Sequence, residues 1–158
     1  MEYNVREMQP NEYFLLNDFL YNAIFIPQGV TPPPKNIIEQ EELQVYVKDF
    51  GKQKDDVALV AEIDGKIIGA VWARIMNDYG HIDNDTPSLA ISIYKNYRGY
   101  GIGTSLMQNM ISLLKYRGYK RVSLAVQKEN YAVKMYKRIG FIIVEENSEE
   151  YIMVCELK

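Results

Sequence analysis

The spacing of apolar residues changes period along this chain, and the change predicts its elements. Residues 3–8 (YNVREM) alternate as a short strand, and residues 11–25 (NEYFLLNDFLYNAIF) follow a helical period, with Asn11 as the cap behind Pro10. Three consecutive prolines within residues 27–35 forbid a helix there and predict a surface loop. A second helix is expected over residues 36–50, ended by Gly51. From Val57 the pattern becomes β-rich: residues 57–63 and 66–76 read as two strands joined by Asp64-Gly65, a dipeptide that tolerates the positive φ of a tight hairpin. A polar loop (77–87) leads to a strand at 88–94. Then come three glycines, a helix with Leu106, Met110, Leu113 and Leu114 on one face, and a strand at 121–127. A helix over 130–139, capped by Asn130 and ended by Gly140, precedes two closing strands, FIIVEE and YIMVCEL. This order predicts a mixed α/β fold with helices on both faces of one sheet.

At 158 residues and 47% hydrophobic, the chain supports one core and is expected to form a single domain over residues 1–158. A net charge of -3 with scattered basic residues argues against nucleic acid as partner. No export signal or membrane span is expected: the stretch from Tyr13 to Ile26 is interrupted by Asn17, Asp18 and Asn22. Cys155 is the only cysteine, so no internal disulfide can form; its apolar surroundings predict a buried thiol, and a cytoplasmic location fits.

The chemistry concentrates in RGYGIG, residues 98–103. Glycines before a helix leave its first N–H groups open to an anion, and the helix dipole and Arg98 add positive potential. That combination suits phosphate or pyrophosphate. A P-loop is excluded because no Lys-Ser/Thr pair follows the glycines, and the dinucleotide fingerprint because Thr104 stands where its third glycine belongs. Glycine spacing alone leaves a plain turn open. On spacing alone Tyr136 belongs to a core stripe with Ala132, Met135 and Ile139.

RGYGIG together with NYAVKMYKRIGF (130–141) resembles the paired signatures of the GNAT superfamily of N-acetyltransferases, in that family's order and separation. The resemblance extends from about Val57 to Val144 and leaves the first fifty-six residues matched only in order of elements. It implies a mostly antiparallel sheet of about seven strands flanked by about four helices, binding acetyl-CoA as cosubstrate without a metal. The pyrophosphate would lie on backbone N–H groups of Arg98, Gly99, Tyr100, Gly101, Ile102, Gly103 and Thr104. The pantetheine arm would run beside Ile91, Ile93 and Asn130, with the Ile91 N–H polarising the thioester carbonyl. Tyr136 would protonate the departing CoA sulfur.

The resemblance further implies acetyl transfer to a primary amine, small or peptidic, by direct attack in a ternary complex. A non-catalytic acyl-CoA sensor of the same fold is the alternative. The glutamate often found on the family's central strand is absent from residues 88–94, and Lys95 stands where relatives often have proline. Glu62, Asp78, His81, Asp83 and Asp85 are substitutes for the missing base, none favoured by a motif. Tyr13, Tyr21, Phe25 and Tyr46 are candidate walls for the acceptor, and the many tyrosines leave room for a homodimer patch.

Overall fold

The computed structural model describes residues 2–158. Seven strands form one sheet: β1 (Asn4–Glu7), β2 (Val57–Ile63), β3 (Lys66–Arg74), β4 (Ser88–Ile93), β5 (Arg121–Gln127), β6 (Ile142–Glu146) and β7 (Glu150–Glu156). Their spatial order is β1-β2-β3-β4-β5-β7-β6, and every pairing is antiparallel except β4 with β5. The helices are α1 (Leu16–Ala23), α2 (Glu41–Gln44), α3 (Ile102–Tyr116) and α4 (Ala132–Arg138). No helix among the described residues is long and apolar enough to cross a membrane.

Alternation along the strands sends side chains to two cores. On one face Val71, Ala73 and Leu89 meet α3 and α4 through Leu106, Met110, Leu114 and Val133. On the other, Ala58, Val60, Ala70 and Trp72 meet α1 and the residues after α2 through Phe19, Leu20, Tyr46 and Phe50. The face expected for α3 is buried at Leu106, Met110 and Leu114, joined by Ile102 and Met107; Leu113 is only partly covered. Each such side chain contributes about 1.5–3 kcal/mol.

The Asp64-Gly65 turn takes the expected left-handed angles, φ 49° and 80°. A register shift opposite Ala61 and Glu62 leaves Ile68 as an extra residue in β3, which sends both Ile68 and Val71 to the α3 face. Cys155 is buried, as expected.

Two helices differ from expectation. The first is a 3-10 segment (Pro10–Leu15) that passes into α1, and Asn11 is not its cap: Gln9 is, with its backbone N–H donating to Glu12 Oε1 at 2.8 Å. The second is not one helix. A 3-10 turn (Lys35–Glu39), an extended Gln40 and the four residues of α2 lead into a turn-rich stretch ending at Phe50. There Trp72 Nε1 donates to the Tyr46 carbonyl, and Arg74 donates to those of Val45 and Lys48. Side chains from the sheet thus take acceptors that a continued helix would use.

Arg6 holds Glu12 through two hydrogen bonds, of 2.9 and 2.8 Å, and this contact, with the Gln9 N–H, lowers the Glu12 carboxyl to about 2. Because the folded value lies below the unfolded one, the stabilisation is present above the ordinary carboxyl range and is lost as pH falls toward 2. Acid denaturation of Glu12→Gln is therefore expected to show a shallower loss of stability between about pH 4.5 and 2. An unchanged slope by circular dichroism would dismiss the contribution.

Candidate functional site

β4 and β5 meet at a single rung, Ser88 with Ser123, where the Ser123 N–H donates to the Pro87 carbonyl at 3.0 Å. Past that rung the strands separate. Tyr94 donates its N–H to Ile68 on β3, so by the two-residue period Ser92 and Ala90 also face β3. Ile91 and Ile93 consequently present their N–H groups to the gap. β4 is held against α1 from its other face, where Ser92 Oγ donates to the Phe19 carbonyl at 2.6 Å and the Tyr94 hydroxyl donates to Asp18 at 2.7 Å. The gap opens into a cleft of about 220 Å³ bordered by Ile91, Leu124 to Gln127, Asn130 and Tyr136.

At the end of β4, Lys95 starts a short 3-10 turn, and Arg98 Nε donates to the Ile93 carbonyl at 2.8 Å. Arg98 is thus tied to the strand and is exposed. Gly99 and Gly101 have φ of 85° and 80°, with open space where a Cβ would stand. Gly103 serves another purpose: inside α3 it lets the helix approach Ile93, whose Cδ1 would lie 3.3 Å from an added Cβ. The first backbone bond of α3 runs from the Ser105 N–H to the Gly101 carbonyl, and no side chain caps the helix. The N–H groups of Ile102, Gly103 and Thr104 therefore lack helical acceptors and carry the positive end of a fifteen-residue helix. Ile102 is buried, so only its backbone can serve a ligand, whereas Tyr100 is exposed.

Asn130 Oδ1 accepts the Ala132 N–H at 2.9 Å, which fixes the start of α4. The helix ends at Gly140 in paired bonds, Phe141 N–H to Tyr136 and Gly140 N–H to Lys137. Between those anchors Tyr136 packs against Phe141 and borders the cleft with Asn130. Burial pushes its phenol up to about 12, so it stays protonated at neutral pH and can donate a hydrogen bond.

The other end of the cleft belongs to the opposite face of the sheet. Leu20, Ala23, Ile24 and Phe25 from the end of α1, with Leu43, Tyr46, Tyr79 and Glu150, line it. Of the four aromatic residues expected there, Phe25 and Tyr46 are present. Tyr13 instead packs edge-on against Phe50, and the Tyr21 hydroxyl donates to the Pro33 carbonyl. Glu150, Tyr79 and Gln127 went unforeseen; the pairing of Gln127 with Glu150 across β5 and β7 brings two of them together.

The candidate bases separate clearly. Glu62 is paired with Arg6, and Asp83 with Arg121. Asp85 is exposed on its loop. His81 Nδ1 is buried without a hydrogen-bond partner among the described residues. Asp78 is held by Ser88, the residue before the cleft-lining Leu89: Ser88 Oγ donates to its Oδ1 at 2.7 Å, while its Oδ2 is buried and without a hydrogen-bond partner among the described residues. The 77–87 loop is pressed onto β5 at Gly80, where an added Cβ would come within 2.9 Å of Leu124 and Ala125 backbone, and Ser123 Oγ donates to the Gly80 carbonyl.

The model of the acetyltransferase (GNAT) family matches residues 21–141. The chain is 37% identical over 83 residues to the probable N-acetyltransferase camello of Xenopus tropicalis, a match covering 52% of this chain and only 36% of that one. It is 28% identical over 122 residues to an N-alpha-acetyltransferase of Sulfurisphaera tokodaii, covering 67% and 72% of the two chains. The fold superposes on the PaiA N-acetyltransferase of Thermoplasma acidophilum, solved with coenzyme A, at a TM-score of 0.72 and 16% identity over 99% of both chains.

Proposed function

The chain belongs to the GNAT acetyltransferase family, and from that premise we propose that it transfers the acetyl group of acetyl-CoA to a primary amine by direct attack in a ternary complex. One observation carries the proposal: β4 and β5 pair only at Ser88 with Ser123, and the cleft beyond that rung is lined by Ile91, Asn130 and Tyr136, while α3, which follows β4 in the chain, starts without a capping side chain. The coenzyme A bound by the Thermoplasma neighbour and the names of the relatives support the donor and the amine.

The residues fit the donor. Gly99 and Gly101 leave room against the backbone for an anion, and the free N–H groups of Ile102, Gly103 and Thr104 supply donors to the pyrophosphate. Ile91 and Ile93 offer N–H groups to an extended arm, as an edge strand does. The Ile91 N–H polarises the thioester carbonyl, and Asn130 holds the start of α4 so that Tyr136 faces the sulfur. A thiol leaves at a pKa of about 8.5, so Tyr136 assists the step without being indispensable. Cys155 is buried, and burial pushes its thiol up, which suits direct transfer better than an acyl-cysteine.

Calorimetric titration with acetyl-CoA tests donor binding, and release of free CoA in the presence of primary amines tests turnover. Tyr136→Phe is expected to bind acetyl-CoA as the wild type does and to turn over roughly ten to a hundred times more slowly. A variant that keeps the full rate would remove Tyr136 from the chemistry. Binding by the wild type without CoA release would favour the sensor reading.

A further inference from the structure

Resting on the acetyl-transfer reading, we propose that the acceptor's proton leaves through Tyr46 to Asp78, a relay on the sheet face opposite Tyr136. Direct attack by an ammonium group is impossible, since its nitrogen lone pair is occupied, and an alkyl amine with a pKa of about 10.4 is mostly protonated at neutral pH. β4 supplies no carboxylate at the gap. Asp78 Oδ2 is buried and lacks a hydrogen bond of normal geometry among the described residues although Tyr46 adjoins the carboxylate, and a buried oxygen held this way costs stability and calls for an explanation.

Three features place it in the reaction. Ser88, one residue before the cleft-lining Leu89, holds Oδ1 at 2.7 Å and thereby fixes which oxygen stays free. Gly80, pressed onto β5, keeps the carboxylate from swinging out with its loop. Tyr46 adjoins Asp78 and itself lines the cleft, so this one residue links the carboxylate to the space an amine enters. Tyr46 belongs to the core on the α1 face and Tyr136 to the core on the α3 face. Proton removal from the acceptor and proton delivery to the leaving sulfur thus come from opposite sides of one cleft.

The step balances. The ammonium proton passes to the Tyr46 oxygen as the Tyr46 proton passes to Asp78 Oδ2, leaving a neutral amine, a neutral phenol and a protonated carboxyl. The C–N bond then forms and the C–S bond breaks; the nitrogen gives its second, surplus proton to solvent as the amide forms, and the sulfur takes its proton from Tyr136. Solvent resets both side chains. The groups facing the relay suit it: Ser88 holds Asp78, and Glu150 and Tyr79 lie beside Tyr46. Burial pushes the Asp78 carboxyl up and keeps the Tyr46 phenol protonated, so Tyr46 conducts protons and Asp78 stores them. Asp78 acts through Tyr46 and is a positioning residue in that sense.

The test uses the full chain, hexylamine, 1,6-diaminohexane and a trialanine peptide as acceptors, and Asp78→Asn and Tyr46→Phe as variants. Acetyl-CoA titration and thermal melting come first, and both variants are expected to match the wild type in each. CoA release at pH 7 is then expected to fall about a hundredfold in both, with the deficit closing as pH approaches 10 and the free amine becomes abundant. Variants with wild-type rates and pH profiles overturn the relay, and so do variants that lose acetyl-CoA binding or melt early. Wild-type protein that binds acetyl-CoA but releases CoA with none of the three amines also overturns it, while leaving donor binding standing. Failure to bind acetyl-CoA at all removes the reading on which the relay rests.

Discussion

Gly101→Asp is expected to weaken acetyl-CoA binding by roughly a hundredfold while leaving the protein folded. Gly101 has φ 80°, a left-handed conformation that aspartate tolerates better than most residues, and no atom lies within 4 Å of its added Cβ. The chain can therefore accept the substitution at modest strain. The ligand cannot, because the new carboxylate stands where three N–H groups and a helix dipole attract phosphate. Two like charges about 4 Å apart repel by roughly 4 kcal/mol at an effective dielectric of about 20, and solvent screening at this exposed turn reduces that to roughly 2–3 kcal/mol. Gly118→Asp supplies the control. Gly118 follows the other end of α3 at φ 91°, also with open space, so it imposes similar backbone strain far from the anion site. Titration should find wild-type affinity for Gly118→Asp and a loss only for Gly101→Asp, and saturating acetyl-CoA should raise the melting temperature of the first but scarcely of the second. Equal affinities in all three proteins would return the glycines to the role of a turn.

The glycine loop was legible in the sequence because everything it needs is local: backbone angles, absent side chains and the helix that follows. The Asp64-Gly65 hairpin and the buried stripe of α3 were legible for the same reason. Residues 36–50 are expected as one helix ended by Gly51, yet the carbonyls of Tyr46, Val45 and Lys48 that would close it accept from Trp72 and Arg74, at least 26 residues away. No local pattern announces such competition. The acceptor end of the cleft was only half visible. Phe25 and Tyr46 were named as aromatic residues on expected helices, but Glu150 reaches the cleft through the pairing of β5 with β7, and Tyr79 through a loop pinned at Gly80. Asp78 was one of five candidate bases until burial and pairing separated them: Glu62 and Asp83 have cationic partners, whereas one oxygen of Asp78 has none.

Asp56→Ala is expected to cost about 3–5 kcal/mol of folding stability and to lower the melting temperature by roughly 10–15 °C. The Asp56 side chain is 0% exposed and that of Arg74 is 4% exposed. Arg74 Nε and Nη2 reach the two carboxylate oxygens at 3.1 and 3.0 Å, a bidentate pairing, while the Gly51 N–H donates to Oδ2 at 2.9 Å. Removing the carboxylate strands a guanidinium that cannot lose its charge in a site that water does not reach, and it takes one partner from the Gly51 N–H. Such a loss is a large part of the 5–15 kcal/mol that holds a typical domain folded. Replacing both partners, Asp56→Leu with Arg74→Met, should recover part of the stability, because no buried charge remains unpaired. It should not recover all of it, since Arg74 also serves the carbonyls of Val45 and Lys48. Denaturant unfolding of the three proteins separates these contributions; a single variant within about 1 kcal/mol of wild type would show that the pair contributes little. The two carbonyls bracket Tyr46, so Arg74 also fixes the segment that brings this phenol to the cleft. Turnover in the double variant should consequently fall further than its recovered stability would explain, with acetyl-CoA binding retained on the far side of the sheet.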